Sequence, residues 1–185
     1  MPQHGSPQPH PDIAPVAWLL GTWRGEGAGT FPTIQPFRYG EELRFWHVGK
    51  PFLAFAQRTW ALDDGRPLHA ESGYWRPHPG GLVELVLAEP SGLASIYEGR
   101  VAGHRVELAT TTIASAPTAK EVTRVVRAYE LRDGGVLACT LAMAAVGQPL
   151  AHHLAADLRS ADADLRNGAP GPRDVTLARG SGPAG

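Results

Sequence analysis

Leu19-Leu20-Gly21-Thr22-Trp23-Arg24-Gly25-Glu26-Gly27 opens the part of the chain in which short apolar runs alternate with turn residues. Its glycines permit a bend or a bulge where two backbones approach closely, because glycine has no side chain to exclude a neighbouring strand. We expect Trp23 to plug the floor of a β-barrel, a start that several ligand-binding barrels share. A phosphate-binding loop is excluded because no strand–helix unit follows these glycines.

The segment 121–131 shows most clearly how the chain continues. Its side chains alternate, so Val125, Arg127 and Tyr129 share one face of a predicted strand. A Gly-Gly turn follows, and residues 136–143 alternate again. This pattern predicts a β-hairpin.

Similar strands are predicted along the rest of the chain, at 41–48, 52–62, 68–76, 81–88, 93–101 and 104–113. The links between them are short, which indicates an antiparallel meander. Eight or more such strands leave two exposed edges unless the sheet closes, so the sequence predicts an all-β, antiparallel up-and-down barrel. A β-sandwich is the alternative fold. We expect a short helical turn near 30–37 to close one end.

Composition restricts the class of protein. The chain has 185 residues, 43% of them hydrophobic, with 17 Lys+Arg against 18 Asp+Glu and a formal net charge of −1. This size fits one domain, and the neutral balance disfavours nucleic acid and membrane surfaces as partners. One cysteine excludes an intramolecular disulfide, and the first residues lack the pattern of a secretory signal. We therefore expect cytoplasmic residence, with residues 1–16 and 160–185 as disordered tails around a domain at 17–159.

Eight histidines invite a search for catalytic or metal sites. Neither a zinc-site spacing nor a hydrolase signature is present. The informative pair is His152-His153, in a segment where Leu150, Leu154 and Leu158 recur every four residues. This spacing predicts a short helix. Helical phase then turns His153 toward the buried face and His152 toward solvent.

Several motifs occur together in one order along the chain. They are Gly21-Thr22-Trp23-Arg24-Gly25-Glu26-Gly27, Gly29-Thr30-Phe31-Pro32-Thr33-Ile34, Tyr39-Gly40-Glu41-Glu42, His47-Val48-Gly49-Lys50-Pro51-Phe52-Leu53, His69-Ala70-Glu71-Ser72-Gly73-Tyr74-Trp75-Arg76-Pro77 and the terminal His153-Leu154. From about Ala17 to Arg159 the chain resembles the nitrobindin family. The combination of motifs is far more specific than any one of them.

The resemblance implies a ten-stranded antiparallel barrel that carries a solvent-exposed ferric heme b. His153 corresponds to the histidine that holds the iron, and Thr33 to the threonine that lies against the heme. Members of the family are described as binding nitric oxide and as isomerising peroxynitrite to nitrate. An imidazole is a normal axial ligand for heme iron, and the opposite side of the heme then selects the ligand.

On that opposite side, Leu68-His69 corresponds to the family's Met-His or similar dipeptide, with leucine in place of methionine. We expect both residues near the heme, without iron ligation by His69. Arg127 is a candidate to pair with a heme propionate, as are Arg124 and Lys120, because cationic groups form short hydrogen bonds with carboxylates. For each of these cations, a solvated outer face is the alternative.

Two further functions compete with a heme-dependent peroxynitrite isomerase. The first is a carrier barrel for a fatty acid or another small apolar ligand, which requires an enclosed apolar cavity and a charged anchor deep inside. The second is a domain whose heme pocket is vestigial. Either a monomer or a homodimer is compatible with the sequence.

Overall fold

The barrel predicted from the sequence is confirmed. The computed structural model describes residues 7–161, which form ten strands and two short 3-10 helices. The strands are β1 (Gly21–Phe31), β2 (Ile34–Trp46), β3 (Leu53–Ala61), β4 (Pro67–Pro77), β5 (Leu82–Glu89), β6 (Leu93–Ala102), β7 (Arg105–Ser115), β8 (Val122–Arg132), β9 (Val136–Ala145) and β10 (Gln148–Ser160).

Every strand pairs antiparallel with its neighbour in sequence, and β1 pairs with β10. The β1–β10 register runs from Trp23 opposite Ser160 to Gly29 opposite Leu154. Closure leaves the sheet without a free edge, which excludes the alternative sandwich. Val125, Arg127 and Tyr129 share one face of β8, as the alternation predicted, and their burial shows that this face points inward.

The floor of the barrel is closed by the 3-10 helix Pro11–Leu19, which precedes β1. Ile13, Val16 and Leu19 on this helix are buried in the main apolar core. The indole Nε1 of Trp23 donates a hydrogen bond of 2.8 Å to the carbonyl oxygen of Leu19. This bond attaches the helix to the first strand.

Two expectations about helices and tails are corrected here. The short helical element lies at 11–19, whereas residues 30–37 form the hairpin between β1 and β2. Residues 11–16 therefore belong to the folded domain, because their apolar side chains fill the barrel floor. Most of the predicted C-terminal tail, residues 162–185, lies outside the described residues.

The predicted helix around His152-His153 is also wrong, because that segment is the strand β10. Leu150, Leu154 and Leu158 are four residues apart, and an even spacing satisfies the period of a strand as well as that of a helix. Leu158 is fully buried, whereas Leu150, near the start of the strand, is 46% exposed.

The glycines of β1 admit aromatic rings into the barrel. A side chain at Gly27 would collide with the ring of Tyr39, and one at Gly29 with the ring of Phe37. Both rings come from the adjacent strand β2, and Tyr39 is buried. The inward face of β1 above Trp23 is therefore covered by side chains of β2.

None of the helices within residues 7–161 is long and apolar enough to cross a bilayer.

Truncation of the helix on the barrel floor tests its part in the core. Ile13 is 1% exposed, so Ile13→Ala should lower the free energy of unfolding by about 2–5 kcal/mol, measured by urea denaturation. The matched control Ile34→Ala, at a residue 46% exposed, should change it by less than about 0.5 kcal/mol. Equal, small effects of the two substitutions would show that residues 11–16 are a tail after all.

Candidate functional site

A β-bulge in the last strand directs His153 into the barrel. His152 pairs with Ala142 and Leu154 pairs with Leu141, so His153 is an extra residue that has no partner on β9. Leu141 packs against the core, so its strand partner Leu154 also lies on the inward face. A bulge places its extra residue on the same side as the next one, so His153 also faces inward. His152 is exposed, and it faces outward with Ala142.

The bulge lies near the mouth of the barrel, which we define as the end where β1 finishes and β10 begins. There the Nδ1 atom of His153 lies 3.0 Å from the carbonyl oxygen of Thr30. The ring packs against Phe31 and Phe37, with centroid distances of 5.5 and 6.3 Å. Burial lowers the pKa of His153, and the hydrogen bond to Thr30 offsets only part of this effect.

This environment fixes the tautomer of His153. A carbonyl oxygen only accepts hydrogen bonds, so Nδ1 carries the proton and its N–H donates a hydrogen bond to the carbonyl oxygen of Thr30. The neutral ring then has a lone pair on Nε2. Within residues 7–161 no hydrogen bond engages that atom. A histidine whose Nδ1–H is held by a backbone carbonyl is a typical metal ligand, so the donor fits a heme iron.

His69 and Leu68 lie on the opposite wall. His69 is on β4, which is separated from β10 by three strands in one direction around the barrel and by five in the other. It lies two residues before the inward-facing Glu71, so alternation along β4 turns the His69 side chain toward the interior that His153 also faces. Leu68 is 41% exposed and is a bulge residue between the pairs Thr59–His69 and Trp60–Pro67.

An open groove adjoins this wall. It has a volume of about 770 Å³, and its lining includes Leu68, His69, Pro90 and Ser91. The backbone N–H of His69 donates to the hydroxyl of Thr59 over 3.1 Å, which fixes the strand next to the bulge. The structure therefore places Leu68 and His69 at the mouth of the barrel, and their nearness to a heme stays a prediction.

Thr33 is exposed in the two-residue turn that joins β1 to β2. It lies at the mouth, three residues from the Thr30 carbonyl that holds His153. Its position is compatible with the contact expected from the resemblance, which stays a prediction.

Arg127 has a different partner from the one expected. It lies inside the barrel, 5% exposed, and both of its terminal nitrogens bind the carboxylate of Glu71. The contact of Nη2 with Oε2 measures 2.7 Å. The predicted pairing with a heme propionate is thus replaced by an internal ion pair between β8 and β4. Arg124 and Lys120, the other candidates, are exposed.

Sequence reasoning missed the carboxylates of the barrel interior. Burial alone would raise the pKa of Glu71, but Arg127 and His69 outweigh it and hold the pKa at about 2. Glu41 accepts a hydrogen bond from Gln57, and burial raises its pKa to about 7. Alternation along β4 places Glu71 on the face of His69 and Trp75, which is a signal that could have found it, but charged residues are rarely buried.

The family comparison agrees with this geometry. Residues 12–160 match the model of the "THAP4-like, heme-binding beta-barrel domain" family. The chain is similar to "Peroxynitrite isomerase 2" of Mycobacterium avium (strain 104), with 57% identity over 80% of this chain and 94% of that protein. It is also 49% identical to "Peroxynitrite isomerase" of Streptomyces griseus, over 83% of this chain and 85% of that protein.

A solved structure shows the same architecture. The crystal structure of Rv2717c from M. tuberculosis superposes with a TM-score of 0.76 and 50% sequence identity. The alignment covers 83% of this chain and 99% of that one.

The ion pair between Arg127 and Glu71 predicts a large loss of stability when one partner is removed. Arg127→Leu should lower the free energy of unfolding by about 3–5 kcal/mol, because the Glu71 carboxylate is left buried without its cation. Urea denaturation measures this loss. The control Arg124→Leu, at an exposed position of the same strand, should change it by less than about 0.5 kcal/mol. An unchanged stability of Arg127→Leu would contradict the internal ion pair, and Arg127 would again be a candidate partner for a heme propionate.

Proposed function

Since the chain belongs to the THAP4-like, heme-binding β-barrel family, we propose that it binds heme b at the mouth of the barrel and isomerises peroxynitrite to nitrate. The match extends over nearly all of the described residues. Relatives about half identical over most of their length carry the name peroxynitrite isomerase. Substrate and reaction are assigned on that similarity, and the assignment of residues rests on geometry.

The single observation that carries the proposal is the bare Nε2 of His153. Its ring is oriented by the Thr30 carbonyl and packed by Phe31 and Phe37. These contacts hold the imidazole in one orientation, which lowers the entropy cost of binding iron. His152 faces away from this space, which makes His153 the proposed ligand.

The opposite wall determines access to the bound group. A bound ferric heme would supply a Lewis acid for a small anion. Leu68 contributes an apolar surface there, and His69 contributes a polar one. In this proposal neither residue ligates iron, and Thr33 borders the group from the β1–β2 turn. Arg127 lies below the mouth, inside the barrel, where it binds the carboxylate of Glu71.

The cysteine content supports the proposal of heme b over a covalently attached heme. Covalent attachment of heme in the c-type manner uses two cysteines, and this chain has one, Cys139, which is buried. Non-covalent heme b is therefore the proposed cofactor. Binding of nitric oxide at the same iron and residence in the cytoplasm belong to the proposal as predictions.

The carrier alternative is disfavoured by what fills the barrel. Trp75 and Tyr97 are fully buried, and the Arg127–Glu71 pair lies beside Tyr97. An apolar ligand needs a cavity lined by apolar groups. The cation that would anchor a fatty acid is already paired with Glu71.

Removal of the two adjacent histidines one at a time tests the site. His153→Ala should abolish stoichiometric heme binding, or weaken it greatly, in a titration with hemin followed at the Soret band. His152→Ala should leave that titration unchanged, because its side chain faces outward. The reverse ranking would mean that the bulge does not direct His153 inward.

Decay of peroxynitrite tests the reaction. The rate should rise in proportion to the concentration of heme-loaded protein, with nitrate as the product and less nitration of an added phenol. Cyanide, which competes with peroxynitrite for ferric iron, should inhibit the decay, and the heme-free protein should have no effect. Equal rates with heme-loaded and heme-free protein would contradict the isomerase activity and leave only the proposal of heme binding.

A further inference from the structure

The environment of His69 contains two carboxylates that the function proposed above does not use. The Nε2 atom of His69 lies 3.7 Å from an oxygen of Glu71 and 3.9 Å from an oxygen of Glu89. Both carboxylates are shielded, with side-chain exposures of 0% and 11%, whereas the His69 side chain is 40% exposed. The imidazole thus covers two largely buried negative charges and presents its own surface to the mouth.

The first of these carboxylates is held rigidly. Arg127 binds both oxygens of Glu71, and this ion pair connects β4 to β8 across the interior. Arg127 cancels the charge of Glu71 but leaves its oxygen Oε2 within reach of His69. The second carboxylate, Glu89, has no such cation among the described ion pairs, so His69 is its charge partner.

The charged and titratable groups that face His69 come from five strands. Charged or ionisable carboxylates and a cation are contributed by Glu71 on its own strand, Glu89 on β5, Arg127 on β8 and Glu41 on β2, and the neutral, titratable His153 lies on β10. Glu71 raises the pKa of His69 above its ordinary value, against the effect of burial, and Glu89 adds to the rise. Arg127 opposes it to a smaller degree.

We infer that Glu71 and Glu89 hold His69 as an imidazolium, which gives the side of the mouth opposite His153 a positive charge that selects anionic ligands over neutral ones. The inference rests on the proposed function, since it assumes that His153 holds the heme. His69 is then a specificity-determining residue. Glu71, Glu89 and Arg127 are positioning residues that act through it.

Selection by charge has a clear physical basis. A full charge at the edge of a partly solvated site changes the affinity for an anion by about tenfold. Removal of His69 has a double effect, because the site loses its cation and the charge of Glu89 is left uncovered. A neutral ligand of similar size experiences neither effect.

Azide and nitric oxide separate charge from shape as probes of the ferric, heme-loaded protein. His69→Gln should weaken azide binding about tenfold near neutral pH and change nitric oxide binding by less than about twofold. His69→Lys should restore the affinity for azide, because it restores a cation. His104→Gln is the control, since His104 lies in the β6–β7 turn at the far end of the barrel, and it should change neither affinity.

The pH profile gives a second readout that a merely structural role would not move. The ratio of azide affinities of wild type and His69→Gln should fall toward one as pH rises and His69 loses its proton. The ratio of the azide affinities of His69→Lys and His69→Gln should stay constant over the same range, because lysine keeps its charge there. Equal azide affinities of wild type and His69→Gln at every pH would overturn the inference.

NMR of the heme-free protein measures the protonation of His69 without any heme. The ring C–H resonances should report a pKa above the ordinary value of about 6.5, and Glu89→Gln should lower it. A pKa at or below that value in the wild type would overturn the inference. If the proposed function itself failed, the wild type would not bind hemin stoichiometrically, and the NMR titration of His69 would be unaffected.

Discussion

The pairing of β1 with β10 is the constraint on which the rest of the structure depends. It closes the barrel, and its register sets Gly29 opposite Leu154. That register also brings the carbonyl oxygen of Thr30 to the imidazole of His153. The same closure that removes the free edges of the sheet therefore orients the proposed iron ligand. Stability and function share one set of backbone hydrogen bonds.

Polarity is layered along the barrel axis. Apolar side chains of the 3-10 helix fill the floor, and large aromatic residues such as Trp75 occupy the core above it. The ion pair of Arg127 with Glu71 lies between this core and the mouth. A buried charge pair costs desolvation, which adjacent apolar packing would avoid. In our account its benefit is at the mouth, where Glu71 supports the charge of His69.

Much of the fold was predictable, because a strand period of two is visible in segments such as 121–131 and short links leave few topologies. The shared face of Val125, Arg127 and Tyr129 followed directly from alternation, whereas its inward direction did not. The folded N-terminal helix did not, because the many prolines before Ala17 resemble a tail. Its apolar residues Ile13 and Val16 are buried only by packing against the barrel floor, which no local pattern shows.

The sequence named candidate residues for the site, including His153, but not the geometry that brings them together or the buried partner of Arg127. Motif resemblance selected His153, whereas strict alternation along β10 would turn His152 inward. The bulge that reverses this depends on pairing with β9, and no local pattern in the sequence encodes it. The partner of Arg127 was hidden for a similar reason, since Glu71 is 56 residues away in sequence.

A crystal structure of the heme complex is the most direct test of the central claim, which is that the β1–β10 closure and the β10 bulge prepare His153 to hold iron. We predict iron bonded to Nε2 of His153, with Nδ1 still donating to the carbonyl oxygen of Thr30 and His152 outside the barrel. Iron bonded to His152 or His69, or a His153 ring that has left Thr30 to bind through Nδ1, would contradict the account.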